Sequence, residues 1–193
     1  MNARSWQMGG GAMLALALVL LPSSGKGAAD AKLVAAINKL AEQVAKDPDA
    51  AKKQAAAVAK AHDFDVVMKL FELRTKDGVG IGAKAGDIKP DGIESLFTNY
   101  EKRVSSAQLE SGADDLARAA YVTAAIALIT HQHTPKKKVG KKDPKDWTKW
   151  TDEMYKASLD LAAAFKEKDT KKVKAAATAL NLSCGNCHSA FRN

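Results

Sequence analysis

The chain is poor in residues that several large protein classes require. Aromatic residues make up only 6% of its 193 positions, and runs of β-branched residues are scarce beside abundant alanine, which argues against a sheet-rich fold. Two cysteines are too few for a disulfide scaffold or for a zinc or iron–sulfur site with four cysteine ligands. The spacing G-x-G-x-x-G is lacking too, so the glycines near residues 78–82 do not predict a nucleotide-binding loop. A mostly helical, basic domain remains.

The N-terminal segment has the pattern of an export signal. Arg4 supplies positive charge, residues 13–21 are wholly apolar, and the small residues 27–29 follow. The apolar stretch falls short of the roughly 20 residues that a membrane-spanning helix needs. We therefore predict a cleaved signal peptide over residues 1–29 and export to the periplasm, with an uncleaved N-terminal anchor as the alternative. The remaining residues, 30–193, are predicted to form a single helical domain.

Apolar residues recur at helical spacing along most of this domain. The pairs Asp47-Pro48 and Asp143-Pro144 are typical helix starts, because aspartate caps a helix and proline suits its first turn. On the last helix, apolar residues recur in alternating steps of four and three, which is typical of a bundle seam. The pattern predicts helices over residues 31–46, 48–62, 64–73, 91–103, 107–131 and 146–165, followed by a last helix that carries Val173, Ala177, Leu180, Cys184, Cys187 and Phe191 on one face.

Two of these helices have clear apolar faces. The helix over residues 107–131 carries Leu116, Ala119, Val122, Ile126 and Ile129 on one stripe. Its apolar run near residues 119–129 is too short to span a membrane and predicts a buried helix. On the next helix, Trp147, Trp150 and Met154 share a face, and we interpret them as ordinary core residues.

Two connecting segments stand out between the helices. Residues 75–92 form a long glycine-rich loop, which we interpret as a surface loop, with a loop that folds over the edge of a ligand as the alternative. Residues 134–145 are rich in lysine and are either a solvated linker or a docking surface for an acidic redox partner. No aromatic residues alternate with these lysines, so the segment gives little support to nucleic-acid binding.

The C-terminal segment Cys184-Gly-Asn-Cys187-His188 has the pattern C-x-x-C-H, the attachment motif of a c-type haem. Two thiols three residues apart face the same side of a helix, and each can form a thioether with a vinyl group of haem. The adjacent imidazole can then reach the iron. We predict one covalent haem c with its iron, anchored by Cys184 and Cys187, with His188 as the proximal ligand.

Other interpretations of the cysteine pair are weaker. A Cys184–Cys187 disulfide can form in an exported protein, because the compartment it reaches is oxidising. A thioredoxin-like dithiol belongs beside a βαβ pattern, which the sequence lacks, and zinc would need two further ligands.

The sixth position of the iron has several candidates. Met68 offers a soft thioether from an apolar segment, although an ordinary core methionine is the simpler interpretation. His62, His131 and His133 are further candidates, but a lone histidine is more often structural or exposed.

The sequence around the motif resembles the C-terminal half of cytochrome c′. The likeness covers residues 147–193 and rests on Trp150, the Phe165-Lys-Glu-Lys-Asp169 segment and the Ser183-Cys-Gly-Asn-Cys-His-Ser-Ala-Phe-Arg192 segment. It implies an all-α, antiparallel four-helix bundle with haem on the last helix, here with extra N-terminal helical segments and the glycine-rich loop. It also implies a basic residue, Arg192, beside the proximal pocket, an open or apolar distal face, and frequent homodimers. A helix-terminal cation that suits the helix dipole is the alternative for Arg192.

Together, the motif and the resemblance predict an exported monohaem c-type cytochrome that transfers electrons and is not an enzyme. The alternative is a five-coordinate haem that binds nitric oxide or carbon monoxide. Reduction of peroxide or nitrogen oxides would need a distal acid–base residue, and no histidine or arginine can be assigned to that role from the sequence.

Overall fold

The computed structural model describes residues 30–138, 140 and 142–192, so the predicted signal peptide lies outside the described residues. In the described part of the chain, the secondary structure consists of seven α-helices and one short 3₁₀ helix at Arg74–Lys76. No helix there is long and apolar enough to cross a membrane. The α-helices are α1 (Ala31–Lys46), α2 (Pro48–Ala61), α3 (Phe64–Lys69), α4 (Ile93–Lys102), α5 (Ser106–Gln132), α6 (Pro144–Lys166) and α7 (Thr170–Phe191).

Aspartate caps set the start of several helices. The side chain of Asp47 accepts a hydrogen bond from the backbone N–H of Ala50, and Asp143 accepts one from Lys145, so both predicted aspartate–proline starts are confirmed. Asp169 caps α7 in the same way, accepting from two backbone N–H groups. These short-range contacts explain why the predicted helix starts agree with the structure.

Helix α6 runs antiparallel to both α5 and α7. The indole N–H of Trp147, at the start of α6, donates to the Thr130 carbonyl at the end of α5, over 2.9 Å. At the opposite end, Lys168 pairs with Glu110 near the start of α5. Trp147 also contacts Phe191 at the end of α7, with ring centroids 4.9 Å apart. The end of α5, the start of α6 and the end of α7 therefore lie together.

Helix α4 completes the bundle by packing against α7. The Asn181 side-chain amide donates to the Phe97 carbonyl and to Glu101, both on α4. Tyr100, near the end of α4, packs edge-on against Phe165 near the end of α6. Helix α4 therefore runs parallel to α6 and antiparallel to α7, so α4–α7 form the predicted antiparallel four-helix bundle.

Helices α1 and α2 are the extra N-terminal segments, and both pack on α5. Together with α6, they bury the second half of that helix. Residues 122–130 are all buried, including Thr123 and Thr130, whose hydroxyls donate to carbonyls one turn earlier. The predicted burial of the apolar run near residues 119–129 is confirmed, because α1 and α2 pack on α5 as well as α6.

The segment between α3 and α4 also departs from the prediction. Helix α3 ends at Lys69, four residues before the predicted end at residue 73. The backbone then turns, and Leu73 forms an isolated bridge with Gly92 at the far side of the glycine-rich loop. Residues 77–91 are a loop, as predicted. Because the two ends of this loop are joined, the residues after α3 lie directly beside the start of α4.

Candidate haem site

A cavity of about 780 Å³ lies at the C-terminal end of α7, between that helix, α6, α4 and the segment that contains α3. Its volume is in the range of ordinary cofactor and ligand pockets, roughly 300–1,000 Å³. It lies at the end of the bundle where α5 ends and α6 begins. The apolar and motif residues that line it include Phe64, Met68, Phe71, Ile93, Phe97, Trp147, Trp150, Met154, Leu180, Cys184, Cys187, His188 and Phe191.

The two cysteines lie one helical turn apart on α7, and both line the cavity as free thiols. Helix α7 remains regular through the motif, so the predicted shared face is confirmed. Burial raises the pKa of Cys184 to about 11 and also raises the pKa of Cys187. Both groups are therefore neutral thiols at pH 7, and the structure gives no support to a disulfide between them.

His188 and Arg192 follow on the same wall of the cavity. His188 is half-buried, and its backbone carbonyl accepts the N–H of Arg192 over 3.0 Å as the helix ends. The Arg192 side chain is exposed at the rim. The structure therefore brings together all four of the predicted binding residues on α7.

Met68 lines the same cavity from α3 and is only half-buried, so it is not an ordinary core residue. Trp147, Trp150 and Met154 line it too, although the sequence predicted all three as core. Trp147 and Met154 are buried, but Trp150 is only half-buried. That interpretation was incomplete, because helical periodicity identifies an apolar face but not what covers it.

The other histidines lie elsewhere. Nδ1 of His131 is 3.2 Å from the Thr151 hydroxyl and 3.2 Å from an Asp152 oxygen. His133 packs against Phe64, with ring centroids 5.3 Å apart. Neither of them lines the cavity, and nor does His62. Among the described residues, His188 is therefore the only imidazole at the site.

Several cavity residues were missed by sequence reasoning. Phe64 and Phe71 lie four residues before and three residues after the predicted candidate Met68, a spacing that predicts a shared face but not a ligand for it. Ile93 and Phe97 contribute a second apolar wall from α4. In contrast, none of the residues of the glycine-rich loop lines the cavity, so the structure gives no support to a loop folded over a ligand.

The rim of the cavity carries charge of both signs. Asp65, Glu72 and Glu94 contribute carboxylates, whereas Lys69 and Arg192 are cationic. Among the described residues, no group of three or more His, Cys, Asp or Glu side chains could hold a metal ion. A zinc site in this region therefore has no support.

The residues present fit a covalently attached haem. Two free thiols and an imidazole within two turns of one helix share a cavity with many aromatic and aliphatic side chains, which offers thioether anchors, an iron ligand and apolar walls. A helical bundle with this site belongs to the class of c-type haem proteins.

The comparison with known families agrees with the site. The family described as Cytochrome C' matches residues 93–192, just over half of the chain, which is the segment from α4 to the end of α7. The chain belongs to the cytochrome c′ family. No curated protein and no solved structure matches it. Membership of this family implies the cofactor, which is a covalently bound c-type haem with its iron.

Proposed function

We propose that this chain is an exported cytochrome that transfers electrons through one haem attached to Cys184 and Cys187, with His188 as the proximal iron ligand. The observation that carries the proposal is the meeting of both thiols and the imidazole in one cavity at the end of α7. In this proposal, residues 1–29 are removed on export to the periplasm, and residues 30–193 form the single haem-binding domain. The protein is a carrier and not an enzyme.

The haem supplies a one-electron couple, and the residues of this chain set its surroundings. The two thioethers fix its position, and His188 holds it from the proximal side. The apolar walls from Phe97 and Trp147 exclude water, which favours the less charged state of the site. The exposed guanidinium of Arg192 is placed at the rim, where it can pair with a propionate.

A docking surface lies near this site. The linker from α5 to α6 joins the two helix ends that lie beside the end of α7. Lys136 and Lys137 are exposed there, and Lys138 pairs with Asp143 over 3.3 Å. This surface suits an acidic redox partner, because opposite charges speed the encounter of two proteins. We also propose a homodimer, to be tested by sedimentation.

A second function is favoured by the walls that come from α4 and from the segment around α3. Phe64, Phe71, Ile93 and Phe97 contribute apolar side chains there, and Met68 is the one soft donor of these walls. If Met68 did not bind the iron, these apolar side chains would offer no ligand in its place, and the iron could accept nitric oxide or carbon monoxide. The spin state of the iron therefore decides between a carrier with Met68 as the sixth ligand and a gas-binding protein.

The ferrous absorption spectrum of the holoprotein tests this choice. For the carrier, we expect a low-spin spectrum before any gas is added, and a high-spin spectrum after Met68→Leu. Met154→Leu is the matched control, since it makes the same change on another wall of the cavity. A high-spin spectrum in the unaltered protein that changes with carbon monoxide would contradict the carrier and support gas binding.

A further inference from the structure

The cavity wall formed by residues 64–72 comes from outside the segment that matches the family. This wall has two faces. Val67 and Leu70 are buried in the protein core, whereas Phe64, Met68 and Phe71 line the cavity. Buried core contacts therefore hold one face of the wall, and the other apolar face lines the cavity.

The wall begins with a short helix, and its first residue, Phe64, packs against His133 and Trp147, with ring centroids 5.3 and 5.4 Å apart. Helix α3 has six residues, too few to be stable in isolation. It packs on α5 but is separated from α7 by the cavity. Its outer surface includes Val66, which is 39% exposed. The far end of this wall, residues 70–72, is held by contacts that lie further along the chain.

Those contacts come from a clamp between Arg74 and Asp91. Nε and Nη2 of Arg74 donate to the two Asp91 carboxylate oxygens over 2.9 and 3.4 Å. The same carboxylate accepts the backbone N–H of Ile81 over 2.7 Å. In the backbone, Arg74 N donates to the Asp91 carbonyl, and Glu94 N donates to the Phe71 carbonyl. The end of the wall is thereby tied to the start of α4.

We propose that residues 64–72 form a cover over the haem site, that Arg74 and Asp91 hold this cover in place, and that it controls the entry of small ligands to the side of the iron that faces Met68. The proposal rests on the proposed haem attachment to α7. Arg74 and Asp91 act as positioning residues, since neither lines the cavity. The cover belongs to this chain's own N-terminal half and not to the four helices of the family match.

A loosened clamp tests the proposal. We expect Asp91→Asn to raise the rate of carbon monoxide association with the ferrous holoprotein several-fold, and to speed amide hydrogen exchange in residues 64–72. Asp87→Asn is the matched control, because it removes the same charge from an exposed position in the same loop. Association and exchange rates that are equal in the two variants would overturn the proposal.

A second pair of variants tests the cover itself without disturbing the clamp. Phe71→Leu reduces a side chain on the cavity face of the cover, whereas Val66→Ala shortens one on the outer face of α3. We expect faster carbon monoxide association in the first variant only. Equal rates in both variants would contradict a role for the cavity face.

A readout independent of ligand binding is available in the haem-free protein. In a Cys184→Ala, Cys187→Ala variant, residues 64–72 should exchange amide hydrogens faster than in the holoprotein, whereas α1 should not change. Exchange that is unaffected by loss of haem would overturn the cover. A chain without covalent haem in a pyridine haemochrome assay would instead overturn the proposed function, so the two failures are distinguishable.

Discussion

Replacement of Asp91 by asparagine should destabilise the fold measurably. The carboxylate accepts hydrogen bonds from Arg74, Ile81 and Gly86, and its side chain is only 16% exposed, against 30% for Arg74. Asparagine keeps the shape but removes the negative charge, and its amide presents donors to groups that are themselves donors. The Arg74 guanidinium would then be left partly buried without its counter-charge.

The magnitude follows from the degree of burial. Exposed ion pairs contribute about 0–1 kcal/mol, and breaking a fully buried pair costs about 3–5 kcal/mol. A partly buried pair with charge-assisted hydrogen bonds lies between these limits, so we expect a loss of about 2 kcal/mol. With a urea dependence of about 2 kcal/mol per molar, the unfolding midpoint measured by circular dichroism would fall by about 1 M.

The effect should also depend on pH. Burial raises the pKa of Asp91, but the hydrogen bonds from Arg74, Ile81 and Gly86 and the Arg74 charge lower it more, so the net pKa lies below its ordinary value. A carboxylate with a lowered folded-state pKa stabilises the protein above the ordinary pKa, near 4, and this stability is lost as pH falls through the folded-state pKa. The difference between the unaltered protein and Asp91→Asn should be constant from pH 8 to pH 5 and shrink below about pH 4.

Asp87→Asn provides the control, since Asp87 is exposed in the same loop. Its midpoint should stay within the roughly 0.5 kcal/mol expected of ordinary surface changes. A loss for Asp91→Asn no larger than that of the control, at every pH, would refute the assigned role of the clamp.

Two further substitutions test contacts at other points of the fold. Trp147→Phe removes the indole hydrogen bond to the Thr130 carbonyl and should lower the free energy of unfolding by about 1 kcal/mol. Trp150→Phe, at a half-buried site, is the control and should cost less. Equal losses in the two variants would contradict the role of this bond. Gly78→Ala would bring a Cβ atom onto a backbone carbonyl oxygen and should cost about 1–3 kcal/mol in urea unfolding. Gly112→Ala lies within helix α5, where the added Cβ atom meets only the end of the Ile88 side chain, so it should cost much less. Similar losses in both variants would show that the close approach at Gly78 does not limit the stability of the fold.

Local signals in the sequence predicted much of this protein. The aspartate–proline pairs at Asp47 and Asp143 place helix starts correctly, because a cap depends on neighbours only two or three residues away. The haem motif could be identified for a similar reason, since Cys184, Cys187 and His188 lie within two turns of one helix.

Features that depend on distant contacts could not be predicted. The clamp joins Arg74 to Asp91 across a 17-residue separation, and no periodic pattern marks either residue. The sequence pattern identified the apolar face that contains Trp150. It did not identify the elements on the other side of the cavity, α3 and α7, because they are separate segments of the chain. The packing of α1 and α2 on α5 likewise depends on residues that are distant in sequence.

The most direct test of the central claim is the haem content of the exported protein. We expect absorption spectroscopy, a pyridine haemochrome assay and intact mass to give one haem per chain, retained in acidified acetone. A Cys184→Ser, Cys187→Ser variant should lose this covalent pigment. A colourless protein from a cell that matures c-type cytochromes, or a pigment that acidified acetone extracts, would contradict attachment of haem to α7.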